Sequence, residues 1–406
     1  MSKSVNIKMR WNSLLHNGYC NLLMRVTGLS MSRISPGRRV AFEALAAVEH
    51  GAFASDSLRH LSAALDSRNA GLAAQIVFGC LRYRAQLDFL IFHYSSRHAE
   101  SLDEPVRLAL RMAIFQLRYL DRVPAHAAVH ESVELVKQHR RAASGLANAV
   151  LRKVTREPVV WPDEATELSL PNWLLERWKE HFGAEQARRI AQDGLEEPQK
   201  YAGQTIGVRG LPARFQDIGS QSIIPLLDLQ PDQSYLDLCA APGNKTLQAL
   251  ETPLSLAIAC DISEKRVREI PRVCPLVILD AARPLPFSRL FDRIFIDAPC
   301  SGTGTIARNP EIKWRVEPKD FGRFGKKQSR ILGQALPLLA PHGKLLYATC
   351  SLEPEENENV VRLALAEHSE LRLERSIWRL PGMDEGDGFF AAVFSMIRSS
   401  DPEAGS

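Results

Sequence analysis

Between Ser234 and Cys350 the chain repeats one pattern five times: a short apolar run that ends, at its carboxyl side, in a small or polar residue. The runs are SYLDLCA, SLAIACD, PLVILDA, RIFIDAP and KLLYATC. A strand with one wetted face alternates apolar and polar residues. A run that hardly alternates belongs to a sheet covered on both faces, the parallel kind with helices between its strands. In such sheets ligands gather at the carboxyl ends. Further on, LRLERSIWRLP and GFFAAVFSMI predict a closing antiparallel pair. The expectation for residues 216–398 is an α/β, Rossmann-like, doubly wound domain.

The first half has a different pattern. From Pro36 to about Glu157, GRRVAFEALAAVEH, AGLAAQIVFGCLRYRAQLDFLIFHY, EPVRLALRMAIFQLRYL and AHAAVHESVELVKQH repeat apolar residues at three- and four-residue spacing, with breakers such as DSRN and DRVP between them. That predicts an all-α N-terminal bundle of about six helices over 36–157. His126 and His130, four apart, lack a third ligand and read as surface or packing histidines. REPVVWPDEATELSLP, with prolines at 158, 162 and 171, reads as an extended linker, and NWLLERWKEHFGAEQARRIAQ as one further amphipathic helix. Residues 158–215 thus form a connecting segment, and 399–406 a tail. At 406 residues the chain exceeds one ordinary core, in keeping with two domains.

Charge is uneven. Residues 1–42 hold seven Lys/Arg and no acid, leaving 44 basic against 47 acidic residues in the remainder. Any nucleic-acid surface must therefore be local. Residues 1–35 read as a disordered basic extension or a start placed upstream of Met31; a mitochondrial presequence is the other reading, and a signal peptide does not fit. No apolar run is long enough to span a bilayer. The seven cysteines form no CxxC pair, which argues against zinc and a disulfide framework and for a reducing, cytoplasmic setting. A monomer without metal is expected.

The strand ends carry the chemistry. After the first strand comes DLCAAPGNKT, a tight turn through Pro242 and Gly243 into a helix start, where backbone can approach an anionic group. The next three strands end in Asp261, Asp280 and Asp297. Each acid alone could cap the following helix; together they outline a cleft for a nucleoside cofactor. The turn lacks the GxGxxG of a dinucleotide site, so S-adenosylmethionine is the better candidate, with Lys245 available to its carboxylate. Cys300 follows the fourth strand in DAPCSGTG and Cys350 the fifth in ATCSLEPEEN. A buried structural cysteine is the ordinary reading of either one, but two at adjacent functional ends suit one reaction. Carbon 5 of cytosine is a poor nucleophile until a thiolate adds at carbon 6. An aspartate beside the base can hydrogen-bond the ring nitrogen and exocyclic amine, and the base must be unpaired or swung out. Which thiol attacks is left open by the residues alone.

LDLCAAPGNKT, CDISEKR, IDAPCSGTG, RNPEIKWR, ATCSLEPEENE and DGFFAAVF resemble the signature blocks of the Sun/Fmu-type RNA cytosine-5 methyltransferases. The helical half, with GCLRYRAQLD and GLANAVLRKV, is similar to the NusB-like RNA-binding domain that precedes the catalytic domain in bacterial ribosomal-RNA members. The resemblance implies Cys350 as nucleophile, Cys300 as the second cysteine assisting product release, and Asp297 beside the base. It implies cofactor contacts from Cys239, Ala240, Ala241, Pro242, Gly243, Asn244, Lys245, Asp261, Arg266, Asp280 and Asp297. Three features depart from the family. Asn244 stands where Gly-Gly-Lys is usual, a residue that tolerates left-handed backbone. The segment before the first sheet strand, where the family has an RNA-facing subdomain, is shorter, and so is that between the second and fourth strands.

For RNA there remains Ala307–Arg330, with eight Lys/Arg against three acids and interleaved aromatics. Its first part, through Arg308, Lys313, Trp314 and Arg315, is the expected RNA contact, and its last third reads as a solvated helix face. The leading reading is an S-adenosylmethionine-dependent RNA cytosine-5 methyltransferase acting on small-subunit ribosomal RNA. A non-catalytic RNA-binding or ribosome-assembly factor is the alternative; a small-molecule methyltransferase would not need two strand-end thiols.

Overall fold

The structure, a computed structural model, describes residues 34–199 and 216–396. The expected extension up to Arg33, most of the shortened segment before the sheet, and the tail lie outside the described residues.

The helical half comprises α1 (Pro36–Glu49), α2 (Ala54–Leu61), α3 (Ser67–Arg82), α4 (Arg84–Ser95), α5 (Glu104–Tyr119), α6 (Ala125–Arg140) and α7 (Ser144–Leu151). The run read from the sequence as AGLAAQIVFGCLRYRAQLDFLIFHY is two helices, broken at Tyr83. The Tyr83 ring stacks on Tyr119 at 4.5 Å and its hydroxyl donates to Leu195 O at 2.9 Å, which fixes the bend. The apolar stripes converge on one core that includes Ile76, Leu87, Leu90, Leu110 and Ile114, all fully buried. At Gly79 the backbone of α3 lies so close to α5 that a Cβ would sit 1.9 Å from the Phe115 ring.

In the connecting segment the single helix expected from NWLLERWKEHFGAEQARRIAQ is instead a helical hairpin, α8 (Asn172–Phe182) and α9 (Ala184–Asp193). Gly183 between them has φ +84°, a conformation that ends a helix and that glycine adopts without strain.

The second half is a seven-stranded sheet: β1 (Ser234–Asp237), β2 (Leu256–Asp261), β3 (Leu276–Ile278), β4 (Phe291–Asp297), β5 (Leu339–Thr349), β6 (Leu371–Arg379) and β7 (Phe389–Met396). The order is β3-β2-β1-β4-β5-β7-β6. The first five strands are parallel, and β7 runs antiparallel between β5 and β6. Three helices bear on the site: α10 (Asn244–Ala249), α11 (Pro318–Ala335) and α12 (Glu358–Glu367). Pro318 opens α11 behind a capping box between Glu317 and Asp320. The strands bury large side chains on both faces, Phe291 and Tyr347 on one and Tyr235 and Phe295 on the other. That two-sided burial explains their near-continuous apolar runs. Strand order reverses between β1 and β4, so the crevice opens where those two strands end. Among the described residues no helix is long and apolar enough to cross a membrane.

The close α3–α5 approach makes a direct test. Gly79→Ala must push the Phe115 ring out of its stack with Tyr83 and Tyr119, and we expect it to lower unfolding free energy by about 1–3 kcal/mol in denaturant titration. An unchanged midpoint would show that the helices are not in this contact.

Candidate active site

β1 ends in a turn, Cys239 to Gly243, that passes directly into α10. Gly243 carries the left-handed conformation (φ +103°), so Asn244 begins the helix and needs no unusual backbone; the departure from Gly-Gly-Lys is accommodated there. Beside this turn lies a cavity of about 520 Å³, large enough for a nucleoside-sized ligand. Of the expected cofactor residues, Cys239, Ala240, Ala241, Pro242, Asn244, Lys245 and Asp297 line it.

Gly243, Asp261, Arg266 and Asp280 do not line this cavity. Asp261 is buried and accepts from Ala241 N at 3.3 Å and Ser263 N at 3.0 Å. Arg266 donates to Ala241 O at 2.6 Å, so the pair holds the turn in shape from behind. Asp280, half-buried at the end of β3, accepts from Ala282 N at 3.0 Å. Both acids therefore spend one oxygen on the backbone two residues on, an Asx-type turn.

The sequence reading passed over Asp237. It is fully buried in β1, lines the cavity, and accepts from Thr246 Oγ1 at 2.7 Å. Burial pushes its carboxyl up to about 7. Its only signal was a polar residue inside the apolar SYLDLCA run. Asp387, another acid of the cavity wall, is raised to about 6, again by burial first and then by Asp217.

The two thiols meet. Cys300 Sγ and Cys350 Sγ stand 3.3 Å apart, both free and half-buried. Pairing Asp297 with Ala348 across β4 and β5 brings the two strand ends level. The loops beyond are then locked by polar contacts that sequence reasoning did not find. Glu356 accepts from Ser301 N and Ser351 Oγ, each at 2.8 Å, and from Gln328 Nε2 at 3.0 Å. Ser301 Oγ and Ser351 Oγ are themselves 3.0 Å apart. Gly304 donates to Cys350 O and accepts from Gly388 N, in a space where a Cβ would lie 2.5 Å from Gly388 O. The Cys300 thiol is pushed well up, first by its hydrogen bond to Cys350 and then by burial. Lys245 Nζ donates to Asp297 Oδ2 at 2.7 Å, and that partner holds the ammonium charged against its burial.

The expected RNA contacts divide. Arg308 lines the cavity, bridging Asp387 at 2.9 Å and Asp217 at 2.8 Å. Lys313, Trp314 and Arg315, on the one-turn helix Ile312–Arg315, face the helical half instead. Lys313 is buried and donates to Arg82 O at 2.8 Å; Trp314 Nε1 donates to Leu81 O at 2.7 Å; Arg315 Nη2 donates to Val48 O at 3.0 Å and to Ala52 O. From the other side Arg82 donates to Ala307 O, and Ala54 N to Glu311. These three side chains join the halves and are not free to grip phosphate in this arrangement.

A sheet of this order, with a glycine turn after β1 and acids at the ends of β2, β3 and β4, defines the S-adenosylmethionine-dependent methyltransferase class. Residues 224–395 match the 16S rRNA methyltransferase RsmB/F family, and residues 35–156 the NusB family. Ribosomal RNA small subunit methyltransferase B of Cronobacter sakazakii is 31% identical, over 85% of this chain and 95% of that protein. The probable ribosomal RNA small subunit methyltransferase B of Bacillus subtilis is 28% identical, over 85% and 91%. The crystal structure of PH0851 shares the fold at a TM-score of 0.72 and 20% identity, over 91% of this chain and all of that one. The chain belongs to the RsmB/F methyltransferase family. Its methyl donor is S-adenosylmethionine, and the turn 239–245 with the adjoining cavity fits that group.

The buried Asp237 gives a pH test. Its folded value lies above the ordinary 3.8, so the folded state holds the proton more tightly. Stability is then full below about 4 and is lost as pH rises toward 7. Asp237→Asn removes that loss. We expect the variant to gain on the order of 4 kcal/mol relative to wild type between those limits, read from denaturant midpoints. Parallel pH–stability curves would contradict the burial of this carboxyl.

Proposed function

We propose that the protein methylates carbon 5 of a cytosine in small-subunit ribosomal RNA through a covalent Cys350–cytosine intermediate. The approach of Cys300 and Cys350 to 3.3 Å, near enough to Lys245 and Asp297 of the cavity wall for charge to act between them, carries this reading. The names of the curated relatives support ribosomal RNA as substrate.

Cys350, as thiolate, forms a bond from Sγ to carbon 6, and the carbon 5–carbon 6 π pair moves onto carbon 5. S-adenosylmethionine supplies the methyl group that carbon 5 takes up. A base then removes the carbon 5 proton, the freed pair restores the double bond, and the carbon 6–sulfur bond breaks with its pair returning to Cys350. Asp297 faces the exocyclic amine and ring nitrogen, and Lys245, bound to it, balances charge built on the ring. Cys300 is held as a thiol by its surroundings. Its S–H donates to the departing Cys350 sulfur, which gives the family's second cysteine a physical task. The target base enters unpaired, since neither thiol could reach carbon 6 inside a stacked helix.

Two variants test this on ribosomal RNA with labelled donor. Cys350→Ala is expected to lose methyl transfer by roughly three orders of magnitude or more. Cys300→Ala is expected to accumulate a protein–RNA adduct that survives denaturing electrophoresis. Full activity of Cys350→Ala would overturn the mechanism and favour a thiol-independent role in RNA binding. Bisulfite mapping of ribosomal RNA from cells with and without the gene locates the modified base.

A further inference from the structure

The part of the basic stretch that the sequence left as a solvated helix face is the part that the structure leaves open beside the site. Arg323, Lys326, Lys327 and Arg330 fall at spacings of three, four and seven along α11, on one side of the helix. The opposite side, through Phe321, Gly325, Gln328 and Leu332, is buried. Arg323, Lys326 and Arg330 are exposed and Lys327 is half-buried. Arg323 pairs with Asp320 at 2.9 Å. Lys326, Lys327 and Arg330 have no carboxylate partner among the described residues.

The helix is anchored to the thiol loops. Gln328 Nε2 donates to Pro299 O at 3.0 Å and to Glu356 at 3.0 Å. At Gly325 a Cβ would lie 2.3 Å from Glu355 O, so α11 lies flush against the segment after Cys350. α11 thus packs one side on the thiol loops and presents its cationic side to solvent, whereas Lys313, Trp314 and Arg315 are used in the joint.

We propose that Lys326, Lys327 and Arg330, with Arg323, carry the phosphates of the single-stranded RNA segment that leads into the active site. This inference rests on the RNA-methylating reading above. From Arg323 to Arg330 the helix rises about 10 Å, over which a stacked strand presents about three phosphates at ~3.4 Å each. A row of cations on a rigid helix, three of the four without a carboxylate partner among the described residues, matches a regularly charged strand without reading its bases, so this face supplies grip and direction, and base choice is left to the cleft.

The test uses the full chain, wild type and the triple variant Lys326→Gln/Lys327→Gln/Arg330→Gln. Binding of labelled oligocytidine is followed by anisotropy across a salt series, cofactor binding by calorimetry, and methyl transfer to ribosomal RNA by kinetics. The variant is expected to bind oligocytidine roughly ten- to a hundredfold more weakly near 0.1 M salt, with a log–log salt slope shallower by about 2. Its KM for RNA rises while kcat and cofactor affinity hold. An Arg-for-Lys version at 326 and 327 keeps the wild-type slope. A triple variant with wild-type slope and affinity would overturn the proposal while leaving RNA methylation intact. A wild-type chain that binds cofactor but neither binds nor methylates RNA would overturn both readings.

Discussion

One buried carboxylate organises the chemistry. Glu356 sits beyond the end of β5, yet it takes hydrogen bonds from Ser301, next to Cys300, from Ser351, next to Cys350, and from Gln328 on α11. The two cysteines belong to separate loops fifty residues apart, each beyond the ladder that pairs β4 with β5. A hydrogen bond to a charged group is worth about 1.5–3 kcal/mol, and leaving such a buried acceptor unfilled costs more. Three donors converging on one carboxylate therefore fix the loops against each other far more firmly than van der Waals contact between two sulfurs. Burial raises the Glu356 carboxyl while its donors lower it, so the brace depends on keeping all three partners in place. Displacement of a reacting group by about 1 Å can cost 10²-fold in rate, which explains why a site built on loops needs such a brace.

The two halves are joined by the same loop that carries the first cysteine. Beyond Cys300 the chain runs through Gly304, which is packed against Gly388, to Arg308 on the cavity wall and then to Lys313, Trp314 and Arg315 in the helical half. The joint is polar and reciprocal: side chains from the sheet half donate to carbonyls of the helical half, and Arg82 returns a bond to Ala307 O. Through this run the helical half contacts the outer wall of the site, while α11 packs on the thiol loops and leaves its cationic side to solvent.

The sheet was legible because two-sided burial leaves its mark on composition: SYLDLCA, RIFIDAP and KLLYATC hardly alternate because both faces are covered. Meeting thiols followed from the same logic, since adjacent strands end side by side. What stayed hidden were contacts made by polar groups across long sequence distances. Glu356 and Gln328 look like ordinary charged and polar residues in a loop and a helix, and nothing local says which carbonyl or amide they will meet. Lys313, Trp314 and Arg315 took another place for a related reason. A donor-rich, aromatic-bearing stretch suits RNA phosphate, but it equally suits the backbone carbonyls of a neighbouring domain, and composition cannot separate the two acceptors. Gly183 did carry a signal, a glycine inside a helical pattern, and it marked a break rather than a tolerated interruption.

The central claim is that Cys350, braced beside Cys300, bonds to carbon 6 of the target base. RNA carrying 5-fluorocytidine at the target position tests it most directly, because fluorine at carbon 5 cannot leave as a proton does and the adduct is caught after methyl transfer. Peptide mapping of the trapped complex by mass spectrometry is expected to find the nucleotide on the peptide that contains Cys350. Recovery of the nucleotide on the Cys300 peptide, or of no adduct from a chain that methylates ordinary RNA, would contradict the account.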